Sequence, residues 1–317
     1  MSTKPKLLIL AGIVVIIAFA LIAITLFSPT PDIVIGGKDF TEQSVLGEML
    51  AILIEENSDL TVERKLYLGG TMICFNALKA GDLDLYAEYT GTGLVNILKR
   101  EVISDPGEAY AAVREDFKDK YGLIWLKPFG FNNTYTLTMR KGQAEKLGIR
   151  TFSDLAAYVR KQGENTDQLT AGFTAEFIER PDGFKGLTDA YGFHFASEPM
   201  QMDPGLMYKA CADGDVDVIC AFATDGRIAA YNLSTLEDDK KFFPPYYAAP
   251  LIRAQTLAKH PELKGVLNRL AGKLDNRTMQ ELNLQVDRKD NPRQARDVAR
   301  EFLVRSGLIP AGTRAGR

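Results

Sequence analysis

The stretch Phe75-Asn76-Ala77-Leu78-Lys79-Ala80-Gly81-Asp82-Leu83-Asp84-Leu85 returns further along the chain as Tyr208-Lys209-Ala210-Cys211-Ala212-Asp213-Gly214-Asp215-Val216-Asp217-Val218. Each copy reads as a helix end, a Gly-Asp turn and an apolar strand, since glycine ends a helix at low steric cost. In this register Tyr89 falls opposite Phe222, and Gly93 opposite Gly226. Each half thus places an aromatic just beyond the C-terminal end of an equivalent strand, where open α/β sheets bind ligands. Two similar halves with a shared cleft form a clamp. The Asp82, Asp84, Asp215 and Asp217 carboxylates read as turn and edge groups, not catalytic pairs.

Outward from the first copy, strands alternate with helices. Ile33-Val34-Ile35 is a short strand ending at Gly36-Gly37. A helix follows over 41–56, capped by Thr41, with Val45, Leu46, Met49, Leu50, Leu53 and Ile54 on one face. A strand over 60–68, Gly69-Gly70, a helix through Lys79 and a strand over 83–86 complete a βαβαβ order. That order predicts an α/β lobe with a largely parallel sheet. The second lobe starts after Leu137-Thr138-Met139 and returns near Phe243-Pro244-Pro245, which puts hinges near Met139 and Phe243. The rest is helical over 260–274, 278–286 and 292–306, and should pack back on the first lobe. The resulting plan is 1–30 as signal or anchor, 31–138 with 244–309 as lobe 1, 139–243 as lobe 2, and 310–317 as a polar tail.

With 317 residues the chain can bury two cores, and 38 basic against 41 acidic side chains advertise neither nucleic acid nor anionic lipid. Lys4 and Lys6 precede an apolar run over residues 7–27 without a charge. A cleavable signal needs roughly 7–15 apolar residues and a membrane-spanning helix about 20, so the run favours an uncleaved anchor. Either way the remainder lies outside the cytoplasm. Cys74, Cys211 and Cys220 make no disulfide framework, and the strand rise between Cys211 and Cys220 separates them too far for a bridge. They read as buried free thiols.

Catalysis finds no support: there is no nucleophile elbow, no phosphate-binding glycine loop and no Cys/His metal spacing, so neither enzyme nor cofactor is expected. What stands out is a set of aromatics at element ends: Tyr89, Tyr135, Phe222 and Tyr246. Singly each could be core or hinge packing. Together, given the symmetry of the halves, they suit a cage for a cation that cannot donate hydrogen bonds, because ring faces attract such a charge.

Several motifs carry a resemblance: Gly37-Lys38-Asp39-Phe40-Thr41-Glu42-Gln43, Leu68-Gly69-Gly70-Thr71, Tyr86-Ala87-Glu88-Tyr89-Thr90-Gly91-Thr92-Gly93, Asn132-Asn133-Thr134-Tyr135, Thr224-Asp225-Gly226-Arg227 and Phe243-Pro244-Pro245-Tyr246. In order and without large gaps from about residue 33 to 308, the chain resembles the glycine betaine/carnitine/choline-binding proteins of ABC importers. The resemblance implies a two-lobed type II periplasmic-binding-protein fold with a hinge, preceded by a membrane helix or signal. It assigns the ammonium cage to Tyr89, Tyr135, Phe222 and Tyr246, with Phe222 where the family often has tyrosine. It makes Lys38 and Arg180 holders of a ligand carboxylate, with the Thr92 hydroxyl beside them and Asn133 as a lesser contact. Without it, Lys38 reads as a solvated loop lysine and Arg180 as a surface partner of Glu176 or Glu179. The expected protein is an extracytoplasmic, membrane-tethered monomer that captures a quaternary-ammonium osmoprotectant and presents it to ABC permease subunits. The rivals are another small zwitterion such as an amino acid, for which Glu88 could supply a carboxylate, or a tethered sensor with the same fold.

Overall fold

The structure, a computed structural model, describes residues 30–162 and 168–312. The apolar run over residues 7–27 and the end of the polar tail lie outside them. No helix of the described residues is long and apolar enough to cross a membrane.

The first sheet starts with β1 (Ile33–Gly36), paired in parallel with β2 (Val62–Lys65) through Ile33↔Val62 to Gly36↔Lys65. Between them runs α1 (Thr41–Asn57), which differs from the one-faced helix expected, because Ala51 and Ile52 are as buried as Leu50 and Leu53. A helix apolar all round needs cover on every side. That cover comes from α11 (Leu263–Leu267), α12 (Asn276–Asp287) and α13 (Ala295–Arg305), the C-terminal helices that pack on it. Thr41 is not the cap. Phe40 holds that position without a side-chain bond, while the Thr41 hydroxyl donates to Asp287 Oδ1 at 2.6 Å.

The internal echo survives in three dimensions. Both α2 (Thr71–Ala80) and α8 (Leu206–Asp213) end on a glycine, Gly81 and Gly214, at φ 93° and ψ 11°. A side chain resists that left-handed conformation. The strands that follow are β3 (Leu85–Tyr89) and β8 (Val218–Phe222), so Tyr89 and Phe222 are the last residues of their strands and not beyond them. Asp84 accepts the Val34 N–H at 2.8 Å, and Asp217 accepts the Thr170 N–H at 2.9 Å. In both halves this carboxylate anchors the entry of the neighbouring strand.

Each sheet has five strands. The orders are β2-β1-β3-β10-β4 and β7-β6-β8-β5-β9, using β4 (Leu123–Trp125), β5 (Tyr135–Arg140), β6 (Ala171–Phe173), β7 (Met200–Gln201), β9 (Leu233–Thr235) and β10 (Ala248–Arg253). Four strands in each run the same way, while β10 runs against its neighbours β3 and β4, and β5 against its neighbours β8 and β9. Each sheet is therefore largely parallel, as expected, and mixed through one reversed strand. The strand arriving from the other half enters each sheet in the opposite sense.

Strand β5 belongs wholly to the second sheet, so Met139, paired with Val218, lies within a sheet and not at a hinge. The chain changes sheets earlier, and its two passages hold each other: Asn132 bridges Tyr247, Asn133 N–H donates to Tyr246 O at 3.0 Å, and Tyr246 N–H donates to Asn132 Oδ1 at 2.7 Å. All three cysteines are free and buried, with Cys220 Sγ facing Met207 sulfur at 4.0 Å and Cys211 Sγ facing Asp217 O at 3.7 Å.

Candidate functional site

A cavity of about 690 Å³ opens where the C-terminal ends of β3 and β8 meet the two passages. Seven of the eight residues singled out in the sequence line it: Lys38, Tyr89, Thr92, Asn133, Tyr135, Phe222 and Tyr246. Tyr135 and Phe222 are cross-strand partners on β5 and β8, which brings their rings to 5.3 Å. Tyr246 meets Tyr135 edge-on at 5.6 Å and 86°.

A fifth ring joins them. Phe40 stacks on Phe222 at 5.1 Å and 15°, and faces Tyr89 at 6.3 Å and 26°. The rings thus run Tyr89, Phe40, Phe222, Tyr135, Tyr246 without a break. The sequence carried one signal for Phe40: a bulky apolar residue where a helix start favours Ser, Thr, Asp or Asn.

Two of the tyrosine hydroxyls, those of Tyr89 and Tyr246, are tied down. Tyr89 donates to Glu42 Oε1 at 2.7 Å and accepts from Gln43 Nε2 at 3.1 Å. Tyr246 donates to Asp182. Burial pushes the Tyr89, Tyr135 and Tyr246 phenols well above their usual range, which keeps the rings neutral. Neutral rings keep electron-rich faces that attract a cation, and Lys38 Nζ lies over the Tyr89 ring at 5.1 Å.

Glu42 is a further residue that sequence reading passed over. Its buried carboxylate takes Tyr89 from β3, Asn133 Nδ2 from the passage at 2.9 Å, Asn283 Nδ2 from α12 at 3.1 Å, and the Thr224 hydroxyl beyond β8. Burial raises its pKa against the pull of those donors. Asn133 therefore has a structural duty, its Oδ1 also accepting from Thr224 N–H at 3.3 Å, besides lining the cavity.

The two candidate cations depart from the readings made without the family, since neither is on the surface. Lys38, 4% exposed, donates to Glu88 Oε1 at 2.6 Å and Thr71 Oγ1 at 2.9 Å. Arg180, 2% exposed, makes a two-pronged pair with Asp182 at 2.8 and 2.6 Å. It also donates to Glu176 at 3.1 Å and to Thr92 Oγ1 at 3.2 Å, and lies over the rings of Tyr135 and Tyr246 at 5.3 and 5.7 Å. Arg180 is not part of the cavity wall. The turn Arg180-Pro181-Asp182-Gly183 holds its partner beside it, and closes so tightly that a Cβ at Gly183 would sit 1.9 Å from Phe177 O.

The wall itself is acidic. Asp39, Glu176, Asp203, Asp213 and Asp215 line it against Lys38 and Lys209, and those lysines already pair with Glu88 and Asp213. Burial pushes the Asp39 carboxyl up. Burial would raise Glu176 too, but the charges of Lys38 and Arg180 and the bonds from Thr71 hold it down at about 2. Among the described residues no group of His, Cys, Asp and Glu could hold a metal ion. The arrangement suits capture of a cation by rings inside an acidic rim.

The chain is similar to known proteins. The "Carnitine transport binding protein OpuCC" of Listeria monocytogenes is 41% identical over 278 residues, covering 87% of this chain and 87% of its own length. The "Ergothioneine transport permease/ergothioneine binding protein EgtU" of Helicobacter pylori is 40% identical over 278 residues, 87% of this chain and 48% of that protein. A crystal structure described as a glycine betaine/carnitine/choline ABC transporter superposes with a TM-score of 0.70 at 35% identity, covering 87% of this chain and 99% of that one. The fold is accordingly the two-lobed type II periplasmic-binding-protein fold. Residues 31–305 match the model of the substrate-binding domain of ABC-type glycine betaine transport systems, and the chain belongs to that family.

Proposed function

We propose that the chain captures a small molecule bearing a quaternary ammonium group between its lobes and hands it to the membrane subunits of an ABC importer. The carrying observation is the unbroken run of five rings, drawn from both halves and a passage between them, along one acidic cavity. Each ring contact to a desolvated cation contributes about 0.5–2 kcal/mol. The lobes are the bodies of the two sheets, joined at Asn132-Asn133 and Tyr246-Tyr247. Ligand stabilises their closed arrangement only through contacts the open one lacks. Capture without turnover, a monomeric state, and tethering outside the cytoplasm by the run over residues 7–27 belong to the same reading.

An amino acid fits less well. Glu88, the carboxylate its amine would need, is fully buried and already takes Lys38, the Tyr86 hydroxyl and the Tyr89 N–H. The cavity, at about 690 Å³, falls in the roughly 300–1,000 Å³ class of drug-sized ligands. A cleft of that size admits the small quaternary amines from choline to carnitine.

Calorimetric titration of the full chain tests the reading. Carnitine, glycine betaine, choline and ergothioneine should include at least one tight binder, and the demethylated counterpart of that binder should bind at least tenfold more weakly. Equal affinity for the methylated and demethylated forms would remove the cage.

A further inference from the structure

One carboxylate reaches across the cleft to donors of the opposite half and meets a cation of its own half there. Glu176 lies on α6 (Ala175–Glu179), just after β6 of the second sheet. Its Oε2 accepts the Thr71 backbone N–H at 3.0 Å and its Oε1 accepts the Thr71 hydroxyl at 2.7 Å, at the start of α2 in the first half. Arg180 Nη1 donates to the same Oε1 at 3.1 Å, and Lys38 Nζ donates to Thr71 Oγ1 at 2.9 Å. Gly70 leaves the space, since a Cβ there would lie 2.8 Å from Oε2. An amide, a hydroxyl and a guanidinium thus converge on one carboxylate, with a second cation one bond away. Such charge-assisted donors are what a free carboxylate requires.

Neither cation needs Glu176. Arg180 is already matched by Asp182 and Lys38 by Glu88, so the cluster carries one negative charge in excess. Glu176 also keeps a 28% exposed side chain and shares the cavity wall with Lys38, Gly70 and Thr92, so it is open to displacement from the cavity. A ligand carboxylate arriving while Glu176 stays in place meets filled donors and a like charge. A ligand with only the ammonium charge meets no such conflict.

We propose that Glu176 is a built-in stand-in for a ligand carboxylate: it fills the pocket of Thr71, Arg180 and Lys38, clasps the two lobes in the absence of ligand, and sets the preference between cationic and zwitterionic quaternary amines. The specificity half of this proposal rests on the cavity being a quaternary-ammonium site, and the clasp half does not. Glycine betaine must displace the Glu176 carboxylate, whereas choline leaves it in place and gains from its charge.

The full-length protein tests both halves. The three native cysteines are buried, so spin labels at Asp59→Cys and Lys185→Cys, both exposed, report the distance between the lobes. Without ligand, Glu176→Ala should lengthen and broaden that distance distribution, and Glu176→Gln, which keeps the shape, should do so to a smaller degree. An unchanged distribution in both variants overturns the clasp. In calorimetry the ratio of choline to glycine betaine affinity should fall at least fivefold in Glu176→Ala, with betaine binding strengthened. A ratio within twofold of the wild type, or one shifted toward choline, overturns the specificity role. If the wild-type chain binds neither ligand, the quaternary-ammonium reading fails with the specificity role, and the label distances alone decide the clasp.

Discussion

The ends of β3 and β8 occupy the same place in two sheets of the same strand order, yet they hold their rings by different forces. Tyr89 pairs across the sheet with Ala248 and is fixed by polar contacts, its hydroxyl bonded to Glu42 and Gln43. Phe222 pairs across the sheet with Tyr135 and is fixed by ring contacts with Tyr135 and Phe40, while its backbone N–H donates to the Tyr208 hydroxyl oxygen at 2.9 Å. The position before each ring differs in the same sense, Glu88 against Ala221. One half spends its strand end on a buried polar network and the other on aromatic packing. A cage can therefore be rigid on one side and adaptable on the other.

This contrast breaks most visibly at Glu42. Glu42→Ala strands the Tyr89, Asn133, Thr224 and Asn283 donors at once. At about 1–3 kcal/mol for each unmet buried group, partly relieved by water, a loss on the order of 3 kcal/mol should appear in urea denaturation. A loss under about 1 kcal/mol would mean that the network does not hold the first half.

Acid separates two carboxylates on either side of the cleft. Glu176 has a folded pKa of about 2 against an ordinary 4.5, so the unfolded chain takes up the proton first as pH falls. Its contribution is complete above about pH 4.5 and disappears as pH falls toward 2. On the order of 2 kcal/mol of the acid destabilisation should therefore be missing from Glu176→Gln in denaturation curves across that window. Glu42, whose folded pKa is raised by burial, acts the other way: its contribution falls as pH rises above the ordinary 4.5. A Glu42→Gln chain should be flatter above that pH than the wild type.

Removing a ring from either half should weaken ligand binding by more than about 1 kcal/mol, in Tyr89→Ala and Phe222→Ala alike. Their stabilities should diverge, with Tyr89→Ala the more damaging because it also unpairs Glu42. Similar stability losses would erase the contrast between the two strand ends. The smallest effects come from exchanging the hydroxyls. Tyr89→Phe should cost about 1 kcal/mol of stability, whereas Phe222→Tyr, at a partly exposed ring, should stay within about 0.5 kcal/mol. Thermal melts of the pair, read together, show whether the asymmetry lies in the hydroxyl or in the surroundings.

The repeated helix-turn-strand unit, the alternating order of elements and the residues at the strand ends were all determined by the chain itself. They depend on periodicity and on glycine at Gly81 and Gly214, where a helix must end in a left-handed turn, and both act over a few residues. Only the tertiary structure decided that β5 lies wholly in the second sheet, that Phe40 completes the ring wall, that Lys38 and Arg180 carry partners of their own, and that Glu176 reaches Thr71. The reason is distance along the chain. Glu42 meets Thr224, and Glu176 meets Thr71, only after two sheets have been built and their strand ends brought together. A buried charge takes whichever partner that packing supplies, and local sequence does not record the choice.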